Sequence, residues 1–254
     1  QVKNVWDSGI PNLICPYRAF LRLIRDKQIA YHDAHNTAEP HVVTFNSKPE
    51  CGVDGVPQDV AIPHAAHLRK LERHTIGSSA HMTFLTEDAA QHSSFNQNSL
   101  VLLLELGSSR ILLMGDAEAG GRKDPSKPPT PKSIEGILLK CCSAELKSDV
   151  LVVGHHGSKT SSRNAFVLKS GARVFLVSSG PTKYDVVTLP DPEVTNQLDR
   201  IGTVYPTYKN DDACKLATAK IGPDHDQKAG GCDNLVLTIG ESGEISRAWR
   251  RTGD

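Results

Sequence analysis

Apolar positions along the chain change character three times. Residues 16–30, PYRAFLRLIRDKQIA, set Phe20, Leu21, Leu23 and Ile24 at helical spacing with Arg and Lys between them. That spacing predicts an amphipathic helix covering a sheet. From about residue 34 to 95 the periodicity fades into polar sequence containing His, Pro and Gly, where short runs such as HVVTF and HMTFL predict strands joined by long loops. The pattern sharpens at Asn98. NSLVLLLELGSSRILLMGD holds two apolar runs separated by Gly107, Ser108 and Ser109, which predicts a β-hairpin.

The Pro-, Gly- and Lys-rich stretch GGRKDPSKPPTPK cannot pack a core and predicts a mobile loop; SIEGILLKCCSAELK after it has helical periodicity. DVLVVG and ARVFLVSSG read as buried strands, and DPEVTNQLDRIG as a helix with Asp191 near its cap. GTVYPTY, DNLVLTIG and EISRAW supply further strands. Strand and helix alternate in the second half, so the expected class is α/β, with one domain over residues 1–254.

Charge narrows the functional classes. Lys plus Arg and Asp plus Glu both number 29, so no global positive field holds nucleic acid, and any such groove is local. No stretch approaches the roughly 18 apolar residues of a membrane span. The expectation is a soluble chain with no membrane segment, the cytoplasm favoured over export. A start at Gln1 fits a processed or partial sequence. The six cysteines show no C-x-x-C spacing, which argues against a zinc knuckle. Cys214 and Cys232 bracket a polar segment and could close it as a disulfide in an oxidising compartment; in a reducing one both are thiols.

Two apolar runs end in residues that can do chemistry. Asp116 follows ILLMG, and His155 and His156 follow DVLVVG, so a carboxylate and two imidazoles are delivered at strand ends. Carboxylate and neutral imidazole suit a divalent ion such as zinc or manganese, which would acidify a bound water. The structural alternative is that Asp116 caps a turn and one histidine is hydrogen-bonded in the core. Ser158, Lys159, Thr160, Ser161 and Ser162 offer hydroxyls and one cation that could hold a substrate phosphate, or form a solvated loop.

In order, NQNSLVLLLELGSSRILLMGDAE, DVLVVGHHGSKTSS, FLVSSG and PDPEVTNQLDRIGTVYPT resemble the ComEC-like branch of the metallo-β-lactamase-fold hydrolases. The resemblance covers roughly residues 96–208, flanked by a weakly patterned region over 1–95 and C-terminal strands over 209–254; WDSG at 6–9 matches weakly. It implies an αββα sandwich with a metal-bearing cleft, and metal-dependent hydrolysis of phosphodiester bonds, with nucleic acid or another phosphodiester as substrate. Asp116 matches the family's Gly-Asp metal ligand, and His155, His156, Gly157 and Ser158 match its His-His-Gly-Ser element. Either histidine is a ligand or a transition-state donor. Asn98 would sit with Ser158 and Lys159 near the substrate, although turn-forming Asn explains Asn96 and Asn98 equally well.

The chain also departs from the family. Its upstream His-x-His-x-Asp-His motif is absent, and YHDAHN, with His32, Asp33 and His35, has different spacing and reads as a polar loop. The family's Gly-His-Pro is replaced by Leu189-Pro190-Asp191-Pro192. The expected fold is therefore a metallo-β-lactamase-like sandwich lacking part of its N-terminal half, or a relative that has lost catalysis. The second function class is a non-catalytic binding or scaffold domain using the cleft or Lys123, Lys127 and Lys132 as a contact surface; the third is hydrolysis of another ester or a lactam.

Overall fold

A computed structural model describes residues 2–10, 14–35, 41–43, 60–62, 65–179, 183–184, 186–207, 234–240, 242 and 244–250. The chain divides into two compact units, residues 1–70 with 87–98, and residues 71–86 with 99–254.

In the first unit, β1 (Asn4–Trp6), β2 (Ala30–Asp33) and β5 (Ala65–His67) form a parallel three-stranded sheet, and β3 (His41–Val43) pairs antiparallel with β4 (Val60–Ile62). Helix α1 (Cys15–Asp26) starts with a proline in its first turn, where the missing N–H costs nothing. Leu21 and Ile24 are buried against Tyr31, Val43, Val60 and Ile62, each contributing about 1.5–3 kcal/mol. Phe20 and Leu23, expected on the packed face, are instead exposed. The four apolar positions span more of the helix than one sheet covers. YHD is likewise strand rather than loop: Tyr31 and Asp33 alternate inward with Ala30 and His32 outward, and Asp33 Oδ1 accepts the His35 N–H at 2.9 Å.

The second unit is built on a seven-stranded mixed sheet in the order β14-β11-β10-β9-β8-β7-β6. β6 (Arg73–Ile76), β7 (Ala80–Phe84), β8 (Leu102–Leu106) and β9 (Ser109–Leu113) run antiparallel. β10 (Val150–Val152), β11 (Val174–Val177) and β14 (Thr203–Pro206) continue parallel to β9. The predicted hairpin is β8–β9, with Ser109 the first strand residue rather than part of the turn. Leu112, Leu151, Phe175 and Val177 pack with residues of α2 (Ile134–Cys141), α3 (Asn164–Ser170) and α4 (Pro192–Asp199). α3 carries no strong periodicity and was not expected. β15 (Asn234–Ile239) and β16 (Ile245–Arg250) form a separate antiparallel ribbon, and β12 (Lys183–Tyr184) and β13 (Val187–Thr188) a short one.

The α/β class holds. Cys141 and Cys142 are joined to each other in a disulfide; Cys214 and Cys232 lie outside the described residues. Among the described residues, no helix is long and apolar enough to cross a membrane.

Candidate functional site

β9 and β10 are parallel neighbours in register, Leu113 opposite Val152, so their C-terminal ends stop level with one another. Asp116 follows the first end and the His155–His156 turn the second, which is where a parallel sheet presents groups to a ligand. Two backbone hydrogen bonds join the loops, from His155 N to the Gly115 carbonyl at 2.9 Å and from Ala119 N to the Thr160 carbonyl at 2.6 Å.

Both histidines have left-handed backbones, with φ of 47° and 55°. Consecutive non-glycine residues in this region cost on the order of 1–2 kcal/mol each and persist only where the surroundings enforce them. Gly157 continues the turn at φ 76°, and a Cβ there would lie 2.7 Å from Cβ of Pro190. The Asp191 N–H donates to the Gly157 carbonyl at 3.0 Å, fixing the turn against the start of α4.

The imidazoles have different partners. His156 Nδ1 lies 2.7 Å from the Ser178 carbonyl, which can only accept, so Nδ1 carries the proton. Nε2 then faces Asp116 Oδ1 at 3.5 Å. His155 Nδ1 lies 2.9 Å from Thr160 Oγ1 and 3.3 Å from Glu118 Oε1. The Thr160 hydroxyl donates to Ser158 Oγ, so it accepts from His155 and fixes Nδ1 as the donating ring nitrogen. The rings meet edge to face with centroids 6.2 Å apart.

Asp116, His155 and His156 line a cleft of about 360 Å³ with Arg122, Ser158, Thr160, Val187 and Leu189. Tetrahedral zinc ligands at about 2.0–2.2 Å stand roughly 3.4 Å from one another. Asp116 Oδ1 and His156 Nε2 therefore fit as two ligands of one ion. Among the described residues no group of three or more such ligands gathers, so any further ligand to an ion here would have to come from water, substrate or residues outside that set.

Residues 158–162 are not a solvated loop. Ser158, Ser161 and Ser162 are buried, and the Ser161 hydroxyl bonds the Gly154 carbonyl at 2.7 Å. Lys159 Nζ pairs with Glu193 Oε1 at 2.7 Å, an interaction that holds the Glu193 carboxyl below the usual range. Asp191 is the N-cap residue of α4 as expected, but its side chain makes no capping bond. Its Oδ2 accepts the Lys159 N–H at 2.7 Å and its Oδ1 accepts Arg122 Nη2 at 2.6 Å. Asn98 belongs to the first unit, where its side-chain amide donates to the carbonyls of Asp88 and Ala90 at 2.7 and 2.9 Å.

Two buried groups underpin the loops. Glu135, fully buried, accepts the backbone N–H groups of Ser162 and Arg163 on its two oxygens. Burial pushes its pKa up to about 8, against the pull of those donors and of the Arg163 charge. Arg163, 1% exposed, donates its guanidinium to the carbonyls of Gly121, Lys123 and Asp124. The stretch expected to be mobile is thus fastened from beneath. Sequence reasoning passed over Glu118 and Arg122, and it offered Thr160 as a phosphate-binding hydroxyl rather than as the partner of His155. Only Glu118 carried a signal, standing two residues past Asp116.

No family model matches the chain. Two curated proteins do. ComE operon protein 3 of Bacillus subtilis is 28% identical over 152 residues, covering 56% of this chain and 17% of that protein. Recombination protein 2 of Haemophilus influenzae is 33% identical over 105 residues, 41% of this chain and 11% of that protein. The match therefore spans less than a fifth of either relative, and it supports a ComEC-like relation for this chain.

Proposed function

We propose that this chain is a metal-dependent hydrolase of phosphodiester bonds on a metallo-β-lactamase-like sandwich, with nucleic acid as its substrate class. The observation that carries the reading is the orientation of His156: the Ser178 carbonyl takes the proton on Nδ1 and leaves Nε2 as a donor atom 3.5 Å from Asp116. Strained backbone at both histidines supports it, since such cost concentrates at functional sites. The names of the relatives, one from a competence operon and one a recombination protein, support nucleic acid over other esters or a lactam.

Asp116 and His156 would hold zinc or manganese. When bound, such an ion supplies a water acidified toward neutrality and polarises a phosphoryl oxygen. His155, oriented through Nδ1 by Thr160 and Glu118, keeps Nε2 available to take or return a proton at the substrate.

A second reading is a non-catalytic binding domain. It draws support from the loop that Arg163 fixes, which presents Lys123, Lys127 and Lys132 exposed.

The test is metal content by mass spectrometry on wild type beside Asp116→Ala and His156→Ala, with cleavage of single-stranded DNA in added manganese or zinc. Metal lost in both variants together with metal-dependent cleavage establishes the hydrolase. Absence of both in wild type leaves the binding domain.

A further inference from the structure

Resting on the phosphodiester reading of the cleft, the geometry points to Arg122 as the residue that grips a non-bridging phosphate oxygen of the substrate, with Asp191 and Ser158 holding its guanidinium in position.

Arg122 lies in a loop without helix or strand, so no regular backbone sets the direction of its long side chain. Two side-chain bonds do. Nη2 donates to Asp191 Oδ1 at 2.6 Å and Nη1 to Ser158 Oγ at 3.1 Å. Both partners are buried, at 6% and 2% exposure. Anchoring a flexible cation to buried partners costs rotamer entropy that a surface arginine keeps. Charge-assisted bonds of this kind offset the cost and fix the plane of the fork.

The anchors are themselves fixed. Asp191 gives its other oxygen to the Lys159 N–H at 2.7 Å, and Ser158 Oγ also accepts from the backbone and hydroxyl of Thr160 at 3.2 and 3.1 Å. Asp191 stands at the N-cap of α4 without capping it, and its carboxylate is spent on the loop and on Arg122 instead.

The guanidinium has five N–H donors, and Asp191 and Ser158 engage one each. About a third of the side chain stays exposed, at 35%, on the wall of the cleft that also holds Asp116, His155 and His156. Arg122 is the Lys or Arg among the described residues lining that cleft. Lys159, the cation the sequence suggested for this role, is turned to Glu193. A phosphate brought to the Asp116 carboxylate meets like charge; Arg122 is the cation on the same cleft wall placed to balance it. Its planar fork matches the oxygens of a phosphate, which the point charge of a lysine does not.

The test uses the full chain, in wild type and as Arg122→Gln and Arg122→Lys. Binding of inorganic phosphate and of thymidine 5′-monophosphate is followed by calorimetry without added metal, and each variant's thermal unfolding is recorded. Arg122→Gln should weaken both ligands at least about tenfold, with Arg122→Lys between it and wild type. If Arg122→Gln does not fold, the Arg122→Lys loss of affinity decides. Unchanged affinity in the folded variants, or no phosphate binding by wild type, overturns the assignment. Phosphate binding that depends on Arg122 in a wild type that cleaves no DNA would sink the hydrolase reading alone. DNA cleavage with affinity indifferent to Arg122 would sink this inference alone.

Discussion

Nε2 of His156 stands 3.5 Å from Oδ1 of Asp116, and His156 holds that position with a left-handed φ of 55°. The side chain that faces the carboxylate is bought with backbone strain. Glycine accepts this conformation freely whereas alanine does not, which reverses the usual order of the two residues in folded structure.

His156→Gly should therefore be more stable than His156→Ala by about 1 kcal/mol, although both lose the imidazole. Urea unfolding of the two variants measures this directly. If the alanine variant is the more stable, the turn does not hold the left-handed backbone in solution.

How much of this was legible in the sequence depends on whether a residue's role is local. The β8–β9 hairpin, the helices α1, α2 and α4 and the strand ends carrying Asp116 and His155 follow from runs of apolar residues, because burial of a run is a local signal. Arg163 and Glu135 did not follow. Each is charged, sits among ordinary helical or loop residues, and acquires its role only when β10 and α2 bring the two loops together. Arg122 is the same case: nothing near it in sequence announces a buried carboxylate that belongs to the start of α4.

Glu135 predicts a pH dependence. Its carboxyl has an ordinary value of 4.5 and is raised to about 8 in the fold, so the folded state holds the proton more tightly than the unfolded chain. The resulting stabilisation is complete below pH 4.5 and is lost as pH rises to and through about 8. Between pH 5 and pH 8.5 the urea midpoint of wild type should fall more than that of Glu135→Gln, which has no proton to lose. Parallel falls in the two proteins would show that Glu135 does not titrate in this window.

Arg163 predicts a change in protease sensitivity. Its guanidinium ties down the carbonyls of Gly121, Lys123 and Asp124, and an uncharged replacement of similar length leaves these oxygens without their donor. Arg163→Met should cost about 2–4 kcal/mol and open the peptide bonds after Arg122 and Lys123 to trypsin under native conditions. Cleavage sites mapped by mass spectrometry decide the point. A variant cut no faster than wild type would mean that the loop is held by something other than Arg163.

Gly157 joins the histidine turn to the anchor of Arg122, so one added methyl group should be felt at both. Its φ of 76° disfavours alanine, and the new Cβ would stand 2.7 Å from Cβ of Pro190 and 3.3 Å from Cγ1 of Val177. The first contact is too short to survive, and neither neighbour ends in a flexible chain that could swing aside, so the backbone must shift. Pro190 precedes Asp191, whose N–H bonds the Gly157 carbonyl and whose carboxylate holds Arg122. Gly157→Ala should lose about 2 kcal/mol or more, combining the left-handed cost with overpacking. It should also weaken phosphate binding, although the residue itself has no side chain to touch a ligand. Urea unfolding and phosphate calorimetry on the same preparation separate the two effects. Lost stability with intact phosphate affinity would show that the shift is absorbed before it reaches Asp191, and unchanged stability would show that the turn relaxes without cost.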